Sequence, residues 1–165
     1  MTPDTIILHC SATPDGKTAD WAAIRRYHTS WKREGIIITE ETAREMHRQG
    51  MPVRRPWSDI GYHFGIELIG DGYEILMGRM PNIQGAHCAD GGMNRRSLGI
   101  CFTGDFDQAP PPEAQWRQGL KLVRALMAIY GIPASQVFGH REFAAHKSCP
   151  GREFDLDRFR LELLG

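Results

Sequence analysis

Three residues with metal-binding side chains fall at the ends of short apolar runs or in a loop just beyond one. His9 closes Ile6-Ile7-Leu8, and His140 follows Val137-Phe138-Gly139. Nine positions later, Cys149 precedes Pro150-Gly151, a pair that forbids a continuing helix. Two neutral imidazoles and one thiolate make the three-ligand set that a catalytic zinc takes while keeping its fourth position for water. We therefore expect His9, His140 and Cys149 to converge on one zinc ion. A thiolate donates more charge than a third imidazole would, which weakens the metal as a Lewis acid. Such a site gains from a second electrophile that stabilises an oxyanion. Lys147, two positions before Cys149, and Tyr62, at the start of its own strand-like run, carry suitable donors. His87 sits in a long loop and could line the cleft.

Each of these residues also has a plainer reading. Alone, Lys147 would be a solvated charge and Tyr62 a core aromatic with a wet tip. His28, His47 and His63 are read as partly exposed or hydrogen-bonded histidines, not as ligands. Cys10 and Cys101 lie in apolar runs and read as small buried hydrophobes, while Cys88 follows His87 in a polar loop. The four cysteines form no Cys-x-x-Cys pair, which argues against a structural zinc knuckle. A closed structural site would need a fourth ligand, which Cys10 or His87 could supply.

The elements that must position these residues follow from periodicity. Residues 4–10 read as a central strand. Ser11 to Lys17 is a loop. A helix is expected over about 20–34, from Trp21, Ile24, Tyr27, His28 and Trp31 at helical spacing with Gly35 as the stop. Ile36-Ile37-Ile38 is a short apolar run. Thr39-Glu40-Glu41 opens a second helix ending at Gly50. Residues 51–59 are loop. In the next run, Tyr62, Phe64, Ile66 and Leu68 share one face and His63, Gly65 and Glu67 the other. Gly70-Asp71-Gly72 signals a hairpin into a strand over 73–77. Residues 78–96 form a long aperiodic loop, and 97–103 another strand. An amphipathic helix spans about 113–130, with Trp116, Leu120, Val123, Leu126, Met127 and Tyr130 as its stripe and Gly131 as its stop. A short strand over 136–138 delivers His140, and a last helix covers about 155–164. Strands interleaved with helices predict an α/β fold, a mixed central sheet of about five strands flanked by helices.

The chain has 165 residues, one domain's length, with 20 basic and 20 acidic side chains. A net charge of zero provides no global field for nucleic acid or an anionic membrane, so no nucleic-acid partner and no membrane insertion are expected. No apolar run reaches membrane-spanning length. The N-terminus lacks a basic region followed by a long apolar stretch, so we expect no signal peptide, synthesis in the cytoplasm and a monomer.

Four blocks taken in order resemble zinc-dependent N-acetylmuramoyl-L-alanine amidases, above all the short phage lysozyme-type enzymes related to peptidoglycan recognition proteins. They are Ile7-Leu8-His9-Cys10-Ser11-Ala12-Thr13; Ile60-Gly61-Tyr62-His63-Phe64; Gly85-Ala86-His87 with Asn94 and Ser97-Leu98-Gly99-Ile100; and Gly139-His140 leading to Lys147-Ser148-Cys149-Pro150. The resemblance covers most of the chain. It implies His9, His140 and Cys149 as zinc ligands, Tyr62 and Lys147 as catalytic residues, and His87 and Asn94 as groove-lining, substrate-binding positions. The implied reaction is hydrolysis of the amide between the lactyl group of N-acetylmuramic acid and L-alanine. Peptidoglycan or a muropeptide is then the substrate, and a lysin would act on the cell wall. The resemblance also admits a non-catalytic muropeptide-binding module and a cytosolic amidase that recycles wall fragments, and the residues alone admit a zinc hydrolase of another amide. Some phage relatives inhibit an RNA polymerase through an N-terminal extension. The first strand here begins within a few residues of Met1, so that role is not carried over.

The chain departs from the short pattern at about 35–56. This extra segment carries Arg44, Arg48, Arg54 and Arg55. It reads first as a solvated helical excursion, and otherwise as an added wall of the substrate groove or a basic patch that meets the anionic cell wall.

Overall fold

The computed structural model describes residues 1–14 and 20–165. The end of the expected loop, residues 15–17, lies outside them. A five-stranded sheet organises the chain: β1 (Thr5–Cys10), β4 (Phe64–Ile69), β5 (Gly72–Met77), β6 (Ser97–Phe102) and β7 (Val137–Gly139). The order is β5-β4-β6-β1-β7, with β4–β5 antiparallel and the other three pairs parallel. This is the mixed sheet expected from the sequence.

Strand alternation gives the sheet two different faces. Ile6 and Leu8 of β1, Leu98, Ile100 and Phe102 of β6, and Phe64 and Ile66 of β4 enter the main core. That core is covered by α3 (Glu113–Tyr130) and α4 (Leu156–Leu163), through Trp116, Leu120, Val123, Leu126 and Phe159. Burying each large apolar side chain contributes roughly 1.5–3 kcal/mol, so the stripe of α3 is a major anchor. Gly131 stops α3 in the left-handed conformation, and Ile132 N donates back to Met127 O.

The residues between those positions face the other side. Ile7 and His9 of β1 and Gly99 and Cys101 of β6 meet Trp21, Ile60, Tyr62, His87 and Met93 there. Glycine on this face creates room. A Cβ on Gly99 would lie 2.5 Å from the His87 ring, and one on Gly65 would lie 2.4 Å from the Trp21 ring. Those two aromatic side chains lie flat on the sheet because the glycines leave the space.

The expected helix over 20–34 is shorter than its periodicity implies. α1 runs over Trp21–His28, capped by Asp20, whose carboxylate accepts from Ala23 N at 2.6 Å. The Thr29 hydroxyl bonds back to Arg25 O at 2.9 Å and Ser30 Oγ to Arg26 O at 2.6 Å, closing the last turn. The chain then forms a hairpin, β2 (Trp31–Arg33) and β3 (Ile36–Ile38), around Glu34-Gly35. Both turn residues have positive φ, 50° and 84°, as a two-residue hairpin turn requires. Trp31 continues the helical spacing but belongs to a strand, a case of turn chemistry overriding periodicity. α2 (Glu40–Arg48) follows, with Thr39 accepting from Thr42 N and only Ala43 buried. The long loop over 78–96 contains a 3₁₀ segment, Asp90–Arg95, interrupted by Gly91 and Gly92 at positive φ.

Candidate metal centre

The parallel register of β1 and β7 pairs Leu8 with Gly139. The next residue on each chain is therefore level with the other at the carboxyl ends of the strands, where ligand sites form in open α/β sheets. Those residues are His9 and His140, and their ring centroids lie 4.6 Å apart. Cys149 reaches the same point from the loop after β7. Its Sγ lies 3.6 Å from His9 Nδ1 and accepts from Cys10 N at 3.4 Å. Donor atoms of His9, His140 and Cys149 all lie within 4.8 Å of one another.

The loop bearing Cys149 is pinned from two sides. Arg141 N donates to Cys149 O at 2.6 Å, and the Arg141 guanidinium donates to the carbonyls of Ser148, Gly151 and Phe154. Opposite, Ser148 Oγ donates to Asp107 at 2.6 Å, and Arg152 N donates to the same carboxylate at 2.8 Å. The loop that carries the thiol is thus held by both backbone and side-chain contacts.

Hydrogen bonding sets the tautomer of His9. The backbone carbonyl of Ser97 can only accept, and it lies 3.4 Å from His87 Nε2, so that nitrogen carries the proton. His87 Nδ1 is then an acceptor, and it lies 3.0 Å from His9 Nε2, which must donate. The lone pair of His9 is left on Nδ1, the atom facing Cys149. A second partner that fixes a ligand's tautomer and orientation in this way is a regular feature of metal sites.

Electrostatics keeps the imidazoles neutral at pH 7. Burial, reinforced by the charges of His87, His140 and Lys147, puts His9 well below the usual imidazole range. Burial and Lys147 hold His140 at about 4. Burial and His63 hold His87 at about 3. Contact with Cys10, followed by burial, raises the Cys149 thiol, while the same contact lowers Cys10. Without a cation the site does not favour the Cys149 thiolate, which is the expected state of a ligand that becomes deprotonated when metal binds.

The donor chemistry fits zinc. His140 Nε2 is buried with no hydrogen-bond partner among the described residues, an unmet polar group that calls for explanation. A second group, Cys88, Asp90 and His140, also brings donor atoms together, but it shares His140 and uses an exposed carboxylate. The set of two imidazoles and a thiolate is the better match to zinc. Neither Cys10 nor His87 belongs to the three-donor group, so no fourth ligand closes it among the described residues.

The profile of the N-acetylmuramoyl-L-alanine amidase family, Amidase_2, matches residues 1–152. The chain belongs to this family. Among curated relatives it is 30% identical to the endolysin of Escherichia phage T7 over 161 residues, covering 94% of this chain and 84% of that one. It is 38% identical to peptidoglycan-recognition protein LB of Drosophila melanogaster over 104 residues, 60% of this chain and 40% of that protein's length. The match to peptidoglycan-recognition protein SD likewise spans only half of the Drosophila melanogaster protein. The fold superposes on N-acetylmuramoyl-L-alanine amidase LysC from Clostridium intestinale with a TM-score of 0.65 and 27% identity, covering 99% of this chain and 86% of that one. It also superposes on a point mutant of Drosophila PGRP-LB in complex with tracheal cytotoxin, with a TM-score of 0.64 and 26% identity, covering 93% and 79%.

The remaining residues singled out from the sequence of this amidase-family chain lie in and behind the same centre. The Tyr62 ring is 5.2 Å from His9, and burial and the neighbouring Cys101 thiol raise its hydroxyl well above the usual phenol range. It therefore remains a hydrogen-bond donor at neutral pH. Lys147 is exposed, and its charge adds to the lowering of both His9 and His140. His87 is buried behind His9, a backing partner that the sequence had suggested as a groove residue or a fourth ligand. The Asn94 carboxamide oxygen accepts from His87 N and Cys88 N, both at 2.8 Å, so Asn94 shapes the turn that presents His87. Of the histidines read as structural, His63 is a satisfied core residue, with Nδ1 accepting from Gly99 N at 2.9 Å and Nε2 at 3.0 Å from Ile83 O. His28 Nδ1 accepts from Gly61 N at 3.1 Å, and His47 is exposed. No helix of the described residues is long and apolar enough to cross a membrane.

Proposed function

We propose that the chain hydrolyses the amide between the lactyl group of N-acetylmuramic acid and L-alanine in peptidoglycan, with one zinc ion held by His9, His140 and Cys149. The observation that carries this reading is the convergence of two neutral imidazoles and a thiol at the ends of β1 and β7, with the Tyr62 ring beside His9. Family membership, the endolysin relative and the amidase structure support it. The complex of a related fold with tracheal cytotoxin supports a muropeptide as the occupant of the groove.

Bound at this centre, zinc supplies Lewis acidity and makes water more acidic. The chain supplies the rest. His87 holds His9 in the tautomer that presents Nδ1. Tyr62, kept protonated by burial, donates toward the oxygen that gains charge as the amide carbonyl is attacked. The Lys147 ammonium adds a second positive group for that oxygen and a proton source for the departing amine. Tyr62, buried beside His9, needs little reorganisation when charge develops.

The test is digestion of purified sacculi by the chain, with and without a chelator, with mass analysis of the products. Release of free stem peptides beginning at L-alanine, abolished by the chelator and restored by zinc, is expected. Tight muropeptide binding with no cleavage under zinc-replete conditions would instead establish a recognition module.

A further inference from the structure

The groove beside Tyr62 has walls of two origins. Ala23, Ile24, Arg26 and Tyr27 of α1 line it, and so does Ile37 of β3. Together with Ser11, Thr13, His28 and Tyr62, these residues enclose about 400 Å³. We propose that the β2–β3 hairpin is a specificity element for the peptide part of the substrate. In this arrangement Ile37 packs an aliphatic portion of an anionic peptide, and Arg26 pairs with one of its carboxylates. This deepens the amidase reading and rests on it.

Placement of the hairpin is the first argument. Lys32 is only 7% exposed, and its ammonium donates to the carbonyls of Tyr27 and Ser30 at the end of α1. The same ammonium lies 4.8 Å from the centre of the Tyr27 ring. A Cβ on Gly35 would lie 3.7 Å from the Tyr27 hydroxyl, so the turn rests against α1. Lys32 and Arg54 exchange backbone hydrogen bonds of 3.1 and 2.8 Å, which anchors the far end of the segment. The hairpin is therefore a fixed wall, while Ile37 at its edge stays 44% exposed.

The chemistry of the lining selects the occupant. A sugar requires many free hydrogen-bonding groups, and most of those present are already used. The Ser11 hydroxyl accepts from Gly104 N and Thr13 Oγ1, both at 2.9 Å, and His28 Nδ1 accepts from Gly61 N. What remains is aliphatic and aromatic carbon, the hydroxyls of Tyr27 and Tyr62, and the Arg26 guanidinium, which forms no ion pair among the described residues. Apolar walls with one well-placed charge suit a peptide bearing carboxylates. The groove shares Tyr62 with the metal centre, so it continues from the position of the scissile amide.

The experiment compares two soluble substrates, N-acetylmuramic acid carrying a four-residue stem and the same sugar carrying L-alanine alone. For Ile37→Asp, the ratio of kcat/KM on the long substrate to that on the short one is expected to fall about tenfold, mainly through KM, because an apolar contact is lost and a like charge added. Ile37→Leu should restore the ratio. An unchanged ratio in Ile37→Asp would overturn the proposal. Should the wild-type chain cleave neither substrate, the amidase reading fails, and calorimetry with the free four-residue stem peptide decides the hairpin's role separately. There, about tenfold weaker binding by Ile37→Asp supports the proposal and equal binding overturns it.

Discussion

The candidate metal centre and the hairpin segment are built in opposite ways. His9, His87 and the His140–Cys149 stretch are far apart in sequence and meet because parallel strands bring their ends level and a glycine clears space for a ring. The segment from Trp31 to Arg54 is assembled from neighbours: a two-residue turn, a nine-residue helix with its own cap, and one backbone bridge between Lys32 and Arg54. The first arrangement depends on the entire sheet and its cover of α3 and α4. The second depends on a few local contacts, chiefly one buried ammonium. Chemistry placed on the sheet is thus protected from change in the segment, and the segment is free to shape the groove. Four variants, taken from the largest effect to the smallest, can break or sharpen this contrast.

Cys149→Ser strikes the sheet-built centre directly. A hydroxyl is a harder and weaker donor for zinc than a thiolate. Zinc affinity should fall by more than the roughly hundredfold that bounds the loss of an outer partner, and wall lysis should fall with it. Metal analysis after dialysis against a zinc buffer checks this, and full occupancy would remove Cys149 from the ligand set. Lys147→Ala tests the cation assigned to the same centre. Zinc content should match wild type while kcat falls roughly a hundred- to a thousandfold, the range for losing one oxyanion donor. Wild-type turnover would take Lys147 out of the mechanism.

His87→Gln separates backing from lining. Loss of an outer partner of a metal ligand costs about ten- to a hundredfold in metal affinity. If His87 acts by holding His9, zinc affinity should fall within that range while KM for the muropeptide stays close to wild type. A raised KM with unchanged zinc affinity would return His87 to the groove-lining role suggested by the sequence.

The two regions also differed in how far they could be read from the sequence. His9 and His140 were visible because each terminates an apolar strand-like run, so strand prediction also located these two candidate donors, which the fold brings together. The long amphipathic α3 and the β4–β5 hairpin were equally clear, since their periods of 3.6 and 2 extend over many residues. The backing role of His87 was not visible, because it depends on where Gly99 lies beneath the ring and on the Ser97 carbonyl beyond it. Nor was the break after His28. Trp31 keeps helical spacing with Ile24 and Tyr27, and the signals that end the helix are hydroxyls bonding back and a buried lysine. Lysine normally reads as surface, and here it caps a helix.

Lys32→Met is the smallest of the four changes and falls on that capping lysine. The substitution preserves the apolar stem of the side chain and removes the ammonium that satisfies the carbonyls of Tyr27 and Ser30. Unsatisfied buried acceptors cost about 1–3 kcal/mol each, and here water can reach the helix end, so a total near 1 kcal/mol is expected. For a chain of this length that shifts the melting temperature by about 2–4 °C. The location of the effect matters more than its size. Hydrogen exchange should quicken at the amides of residues 32 and 54, which pair with each other, while those of Ile7 and Leu8 in β1 keep their protection. Zinc affinity should not move. If exchange quickened equally in β1, or zinc were lost, the segment would be part of the cooperative unit that holds the ligands, and the division between the two regions would not stand.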